Sequence, residues 1–333
     1  NEVLDVKEYV HESYLVLVQI FEYYAAMNNN DPFVITLNAA TSFFAETDIV
    51  DDSSKFVKTA DLDTLFIVTN LEKDKNSAKS KLNPDRALTR FEFMEILIRI
   101  AIAKYTKDGP MLSPSEAVNK LLVENVSLAP PIAQLDSDLF RKERLYKEAT
   151  DDVLRDNLPL IKALYNYYKG LGRNKTFPMK AWLALQDAVD IITEQFVLGD
   201  AVLCYVKSRM QVVDTLATKE RAENLQIVDF MEALCRVCDM YSIPTPAELT
   251  KFGAEDLLDY EDKVAGGITA LPEHASASML APKSRSLGEK LPGFLNLVRG
   301  RVAKNLGLGT DCPEEKLIRH LQKNTKFLEG NVK

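Results

Sequence analysis

The chain has 333 residues, of which 46% are hydrophobic and 27% are charged, and its net charge is -8. This length suits two domains, and this composition excludes a disordered or fibrous protein and favours a helix-rich globular one. No apolar stretch reaches the roughly 18 residues that a bilayer crossing needs, and the four cysteines form no disulfide framework, so we expect a cytoplasmic protein without membrane contact.

Four helices are predicted in the first third of the chain, where apolar residues recur at spacings of three and four. They cover about residues 10–27, 37–48, 59–69 and 90–105. The turn sequence NNNDP ends the first of them, and Thr59 is a suitable N-cap for the third. A linker over residues 108–152 holds one more predicted helix, at about 113–123.

The second copy of this pattern predicts helices at about 153–169, 179–193, 199–213 and 228–241. Residues 19–35 align with 163–179 without a gap at an offset of 144, which places Phe33 on Phe177. Residues 88–100 align with 225–237 at an offset of 137, which places Leu88 on Leu225. We interpret this as an internal duplication; the alternative is chance similarity between amphipathic helices.

The predicted fold class is therefore all-α, with two tandem four-helix units at residues 10–107 and 153–243 and the helical linker between them. Residues 244–333 are predicted to form an extended basic C-terminal tail with short helices. From residue 283 onward the chain carries eleven Lys or Arg against five acids. An acidic body is thus followed by a basic tail.

The stretch LTRFEFMEILIRI resembles the second half of a calcium-binding loop and its exiting helix. Such a loop needs oxygen ligands at positions 1, 3 and 5, Gly at 6 and a bidentate Glu at 12. With Leu88 at position 8, those positions hold Lys81, Asn83, Asp85, Arg86 and Glu92. A cation at position 1 repels calcium, and Arg86 must adopt a conformation that Gly adopts at lower cost, so we expect an empty loop.

The related loop of the second copy fails in the same way. With Leu225 at position 8, it offers Thr218, Glu220, Ala222, Glu223 and Asp229 at positions 1, 3, 5, 6 and 12. The two loops with Phe33 and Phe177 at position 8 offer no acid at position 1 or 12. We therefore predict no metal and no cofactor; the degenerate loop positions are Asn83, Asp85, Glu92, Glu220 and Asp229.

In these loops and the helices that flank them, the chain resembles the degenerate, calmodulin-like EF-hand repeat proteins of ciliary and flagellar axonemes. The resemblance covers about residues 10–241. The resemblance implies two degenerate EF-hand pairs that serve as structural parts of microtubule-associated assemblies. It also implies a location in the cytoskeleton of a cilium or flagellum, with cytoskeletal or axonemal proteins as partners and tubulin among the candidates.

A basic stretch with apolar neighbours, FLNLVRGRVAKNLG, is the candidate partner-binding segment. Its residues Phe294, Arg299, Arg301 and Lys304 are expected to dock on an acidic surface such as that of a microtubule; the alternative is a solvated helix. We expect no nucleic-acid binding, because no reading helix or aromatic sheet accompanies the charges. The FRKERLYK run, residues 140–147, is predicted to be an exposed helix face that Phe140 and Tyr146 anchor between the two halves.

Cys235 and Cys238 stand at i and i+3 on a predicted helix, where small buried side chains are favoured over half a zinc site or a redox pair. No convergent set of titratable residues points to an enzyme. The sequence thus predicts a non-catalytic, calcium-independent structural protein. The alternative is a calcium-responsive EF-hand regulatory protein.

Overall fold

The computed structural model of the chain describes residues 1–27, 31–71, 86–108, 111–172, 175–193, 196–212, 214–215, 217–241, 243–271, 279–280 and 285–330. Helices make up 68% of the structure and strands 2%, so the protein is all-α. It divides into two compact units: residues 1–136 with 213–218, and residues 137–212 with 219–333. Among the described residues, no helix is both long enough and apolar enough to cross a bilayer.

Within its described residues, the first unit contains six α-helices and one pair of short strands. In chain order these are α1 (Glu2–Glu12), α2 (Tyr14–Ala26), β1 (Ile35–Thr36), α3 (Leu37–Glu46), α4 (Thr59–Thr69), β2 (Ala87–Leu88), α5 (Arg90–Ala101) and α6 (Pro114–Glu124). A π-helical segment, Ile102–Lys107, extends α5, and a 3-10 turn, Val126–Leu128, follows α6. The predicted helix at 59–69 is observed with those bounds, but its N-cap is Lys58 and not Thr59 as predicted. The predicted helix at 10–27 is interrupted at Ser13.

Aromatic side chains form the centre of this unit. The ring of Phe43 lies 5.2 Å from that of Tyr24 and 5.4 Å from that of Phe93, both nearly edge to face. Edge-to-face packing adds to the apolar area that these rings bury. Phe93, which follows Glu92 in α5, is 2% exposed and belongs to this centre.

Strands β1 and β2 are antiparallel and place Ile35 opposite Leu88. This register differs from the prediction, which put Phe33 at the position equivalent to Leu88. Phe33 is only half-buried, whereas Ile35 is fully buried. The fully buried Ile35, rather than Phe33, is thus the residue that pairs with Leu88.

The second unit contains eleven helices within its described residues. They are α7 (Ser137–Phe140), α8 (Glu148–Asp156), α9 (Leu158–Leu171), α10 (Met179–Val189), α11 (Leu198–Ser208), α12 (Lys219–Glu223), α13 (Ile227–Met240), α14 (Pro246–Phe252), α15 (Leu257–Ala265), α16 (Leu287–Asn305) and α17 (Glu314–Gly330). A π-helical segment, Arg141–Leu145, continues α7. The core is again aromatic, with the ring of Phe230 at 4.8 Å from Phe177 and 6.1 Å from Trp182.

Local features of the first unit recur in the second at a small set of offsets. A break at Asn157 matches the one at Ser13, at an offset of 144. An isolated antiparallel bridge joins Phe177 to Leu225, as Ile35 is joined to Leu88. Each of these four residues directly precedes the N-cap of a helix. Because Ile35 corresponds to Phe177 at an offset of 142, the ungapped alignment was wrong by two residues in this loop.

The turns after α3 and α10 each contain an aspartate with nearly the same positive φ angle. Asp48 follows α3 with φ 50°, and Asp190 follows α10 with φ 53°. The next residues, Ile49 and Ile191, are both buried and are again 142 apart. Aspartate tolerates the left-handed conformation better than most residues do, and both units have an aspartate at this position of the turn.

Two helices are added to the predicted four in each unit: the break at Ser13 or Asn157 divides the first predicted helix, and a further helix follows the fourth. In the first unit this further helix is α6, which packs on α1 and α5; in the second it is α16, which packs on α8 and α13. Both begin at a serine with a Glu at N3, Ser113 with Glu116 and Ser286 with Glu289, which is a capping box. The recurring element is thus a six-helix unit rather than a four-helix one.

Two domain boundaries predicted from the sequence are therefore corrected. The predicted linker, 108–152, contributes α6 to the first unit and α7 to the second. The described part of the predicted tail, 244–333, forms four helices, and the longest of these, α16, buries Leu291, Leu295 and Val302. Its apolar face, rather than its net charge, decides where it lies.

Candidate functional site

The Glu92 carboxylate, predicted at loop position 12, caps helix α5. Its Oε2 accepts hydrogen bonds from the backbone N and the Oγ1 of Thr89, both at 2.8 Å. The side chain is 2% exposed. These hydrogen bonds satisfy donors at the start of the helix. They occupy the carboxylate oxygen that a metal ion would otherwise bind.

Asp229, the position-12 residue of the second unit, has the same role at the start of α13. Its Oδ2 accepts from the backbone N of Gln226 at 2.8 Å and lies 3.2 Å from Nη1 of Arg221. A guanidinium group therefore stands where a calcium loop would place the ion. Positive charge at this point opposes cation binding.

Arg86 adopts the left-handed conformation predicted for it, with φ 67°. The side chain of Asn70, the C-cap of α4, holds it there: Arg86 N donates to Asn70 Oδ1 at 2.7 Å, and Asn70 Nδ2 donates to Ala87 O at 2.9 Å. Lys81, Asn83 and Asp85, at predicted positions 1, 3 and 5, lie outside the described residues.

Glu220 does not lie in a loop, because residues 219–223 form helix α12. Its side chain is exposed, and its carbonyl accepts from Asn224 Nδ2 at 2.8 Å. The residues predicted at positions 5 and 6 of this loop, Ala222 and Glu223, therefore share a helix with Glu220 instead of curving around an ion. Within the described ranges, no group of three His, Cys, Asp or Glu residues is arranged to hold a metal ion.

The predicted partner-binding residues of α16 are mostly in contact with the protein itself. Phe294 is 1% exposed and belongs to the core, so its assignment to a docking surface is wrong. Arg299 donates to Asn296 Oδ1 and to the carbonyl of Cys312. Arg301 is 10% exposed and lies 3.0 Å from Asp262, whereas Lys304 is 57% exposed.

A feature that the sequence did not reveal is a covering segment, residues 137–146, which lies against α13. Arg141 Nε contacts Glu232 Oε2 at 2.9 Å, and Nη1 contacts Asp138 Oδ1 at 2.7 Å. Burial alone would lower the pKa of the Arg141 guanidinium, but the hydrogen bonds and charges of Glu232 and Asp138 raise it overall. Arg141 therefore stays charged and holds the segment in place.

Arg236 is the second anchor of the covering segment. It is 3% exposed, and its Nη2 lies 2.7 Å from Glu232 Oε1 and donates to Ser137 O at 2.9 Å. Its guanidinium carbon lies 4.3 Å from the centre of the Phe140 ring. Such stacking of a guanidinium on an aromatic ring is a cation–π contact.

A third contact joins the covering segment to α13 and to the chain just before α16. Arg144 Nη2 lies 2.6 Å from Asp239 Oδ1 and donates to the carbonyl of Arg285 at 2.6 Å. Lys290 Nζ donates to the carbonyl of Asp239 at 2.9 Å. The prediction that Phe140 and Tyr146 anchor an exposed run between the halves is wrong, since Phe140 packs within the second unit and Tyr146 is 70% exposed.

A cavity of about 420 Å³ opens between the covering segment and the start of α13. Its walls are formed by Asp138, Arg141, Lys142, Leu145, Tyr146, Met210, Gln211, Val228, Asp229 and Glu232. Arg141, Asp229 and Glu232 are each held in an ion pair. The cavity thus offers an apolar rim over paired charges, which suits binding of a side chain better than acid–base chemistry.

Cys235 and Cys238 are both fully buried on α13. Burial raises the pKa of the Cys235 thiol and raises that of Cys238 to about 12. All four cysteines are free thiols. These two are therefore packing residues with little thiolate at neutral pH.

The signal for the covering segment was present in the sequence but not specific. Three cations in five residues, Arg141, Lys142 and Arg144, are typical of a solvated helix. Arg141 and Arg144 differ from Lys142 because they pair with buried acids of α13, Glu232 and Asp239, which are distant in the sequence. Comparison with protein-family models, with curated proteins and with solved structures finds no match to this chain.

Proposed function

We propose that this chain is a non-catalytic interaction protein made of two degenerate EF-hand-like units, and that it works without calcium. The observation that carries the proposal is the use of both position-12 carboxylates as helix caps, with Arg221 on Asp229. The paired loops support the EF-hand organisation, because each unit joins two helix–loop–helix elements through one short antiparallel contact.

A titration calorimetry experiment on the full chain tests the absence of calcium regulation. We expect no binding tighter than about 100 µM, since sensor loops bind calcium below that concentration. A site tighter than this would support the alternative, a calcium-responsive regulatory protein.

The proposed location is the cytoskeleton, in a ciliary or flagellar axoneme, and it follows from the family resemblance. Its physical support is a row of exposed cations on α17, Lys316, Arg319 and Lys323, which is suited to an acidic surface such as that of a microtubule. Removing residues 283–333 is not a clean test, because it would also remove the buried helix α16.

Charge reversal is the cleaner experiment. In co-sedimentation with microtubules, Lys316→Glu, Arg319→Glu and Lys323→Glu together should abolish pelleting of the chain. The matched control reverses three exposed lysines of the first unit, Lys7, Lys55 and Lys58, by the same total charge. Equal loss in both variants would mean that only net charge matters, and no pelleting of the unmodified chain would reject tubulin as the partner.

A further inference from the structure

The two units contain the same ion pair in different environments. Arg99 Nη2 lies 2.6 Å from Glu95 Oε1 on α5, and Arg236 Nη2 lies 2.7 Å from Glu232 Oε1 on α13, at an offset of 137. The second pair is 3% and 8% exposed under the covering segment, whereas the first is 39% and 43% exposed.

The helix beside this pair also corresponds between the units. Helices α4 and α11 both start with an aspartate at N3 that accepts from the N-cap backbone, Asp61 at 3.1 Å and Asp200 at 3.0 Å. Their offset is 139, so Ile67 and Val68 correspond to Val206 and Lys207. The latter two are buried, and the carbonyl of Lys207 accepts a bond from Arg141.

The equivalent surface of the first unit is apolar and exposed. We call it the α4–α5 face: Ile67 is 61% exposed, Val68 45%, Leu71 68% and Phe91 50%. Phe91 stands one turn before Glu95 on α5, and α5 packs on α4. Exposed apolar groups on neighbouring helices that also carry a charged pair are typical of a protein-binding surface. The covering segment of the second unit shows which chemistry fits such a surface.

We infer that the α4–α5 face binds a helical segment of a partner protein that carries the pattern Phe-Arg-x-x-apolar, an inference that rests on the proposed interaction function. The partner's Phe stacks on the Arg99 guanidinium, as Phe140 does on Arg236. The partner's Arg pairs with Glu95, as Arg141 does with Glu232. The apolar residue takes the place of Arg144, because Ile102 stands where Asp239 would be, at the same offset of 137.

A labelled peptide tests this occupant on the full chain by fluorescence anisotropy. The peptide has the sequence of residues 137–147 with Arg144→Leu, and we expect saturable binding to the unmodified protein. Glu95→Arg should weaken binding by roughly tenfold or more, because a charge-assisted hydrogen bond is replaced by repulsion. Ile67→Glu should weaken it as well.

Two matched controls have the same changes on another helix of the same unit. Glu124 is 54% exposed in an ion pair with Lys120, and Val123 is 62% exposed, both on α6. Glu124→Arg and Val123→Glu should leave peptide binding unchanged. A peptide with Arg141→Glu should bind the Glu95→Arg protein and restore the lost affinity.

Several results would overturn the inference. These are equal binding by the Glu95→Arg and unmodified proteins, equal loss in the α6 controls, and no rescue by the reversed peptide. Concentration-dependent dimerisation that Glu95→Arg abolishes would also overturn it, by making a second copy the occupant. The calcium titration and microtubule assay do not depend on this face, so a failed peptide experiment leaves the proposed function to its own tests.

Discussion

The Glu95–Arg99 pair of the first unit and the Glu232–Arg236 pair of the second have the same residues, spacing and length, but not the same surroundings. The first lies in solvent, whereas the second is enclosed by Ser137, Phe140 and Arg141. An exposed pair contributes little to stability, but a buried pair is costly to break because its remaining charge loses its partner. The comparison shows that the same ion pair can be exposed on the surface of one unit and can hold a packed segment in place in the other.

The largest expected effect comes from removing the buried acid. Glu232→Ala leaves Arg141 and Arg236 without their shared carboxylate and should lower the free energy of unfolding by roughly 3–5 kcal/mol. Glu95→Ala should change it by less than about 0.5 kcal/mol. Urea denaturation followed by fluorescence reports the first value, because Trp182, the single tryptophan, is buried in the second unit. Equal small effects would mean that the covering segment does not hold in solution.

The sixth helices give the next comparison. Phe294→Ala in α16 should cost roughly 3 kcal/mol and Leu121→Ala in α6 roughly 2–3 kcal/mol, since both side chains are 1% exposed. Lys304→Ala is the control and should be nearly neutral. Circular dichroism in urea measures all three; if Phe294→Ala were as mild as Lys304→Ala, the detached tail predicted from sequence would be correct.

The two units also differ in how closely the sixth helix approaches its neighbour. A Cβ on Gly288 would meet the backbone carbonyl of Ala149 at 3.0 Å, whereas the corresponding residue of α6, Ser115, already has one. Gly288→Ala should destabilise the second unit by roughly 1–3 kcal/mol through overpacking. Gly293→Ala in the same helix meets nothing within 4 Å and should stabilise it by roughly 0.5–1 kcal/mol. Thermal melts followed by fluorescence check both, and the same sign for both would contradict the tight α8–α16 packing.

The smallest effect concerns the strained loop residue. Arg86→Gly should stabilise the first unit by about 0.5–1 kcal/mol, because Gly accepts positive φ without steric cost. Glu223, at an offset of 137 from Arg86, is in helix α12, so Glu223→Gly should destabilise by a similar amount. Hydrogen exchange measured separately in each unit compares them, and stabilisation by both changes would show that the two loops have the same conformation.

Sequence patterns predicted most of the helices, because amphipathic periodicity and capping residues are local signals. The helix at 59–69 and the conformation of Arg86 are examples. The register at Ile35 was missed because the loop holds three consecutive apolar residues, Phe33, Val34 and Ile35, of which only Ile35 belongs to β1. Spacing alone does not separate them.

The candidate site was less predictable, since burial of a charge depends on partners distant in sequence. Arg141 is paired with Glu232, and Arg236 with the carbonyl of Ser137, across more than ninety residues. Net charge also misled the prediction for residues 287–305, because Lys290 and Arg301 stand four and seven residues from the buried Phe294 and are themselves only 8% and 10% exposed. Long basic side chains extend past an apolar face without opposing its burial.

The helices α14 and α15 lie between α13 and α16 in the chain, and they delay the synthesis of α16. In the first unit 12 residues separate Ala101 from Pro114, but in the second 46 residues separate Met240 from Leu287. A ribosome therefore synthesises α1–α6 long before it reaches α16. Until α16 is synthesised, the apolar surfaces of α8 and α13 that it covers remain exposed to water.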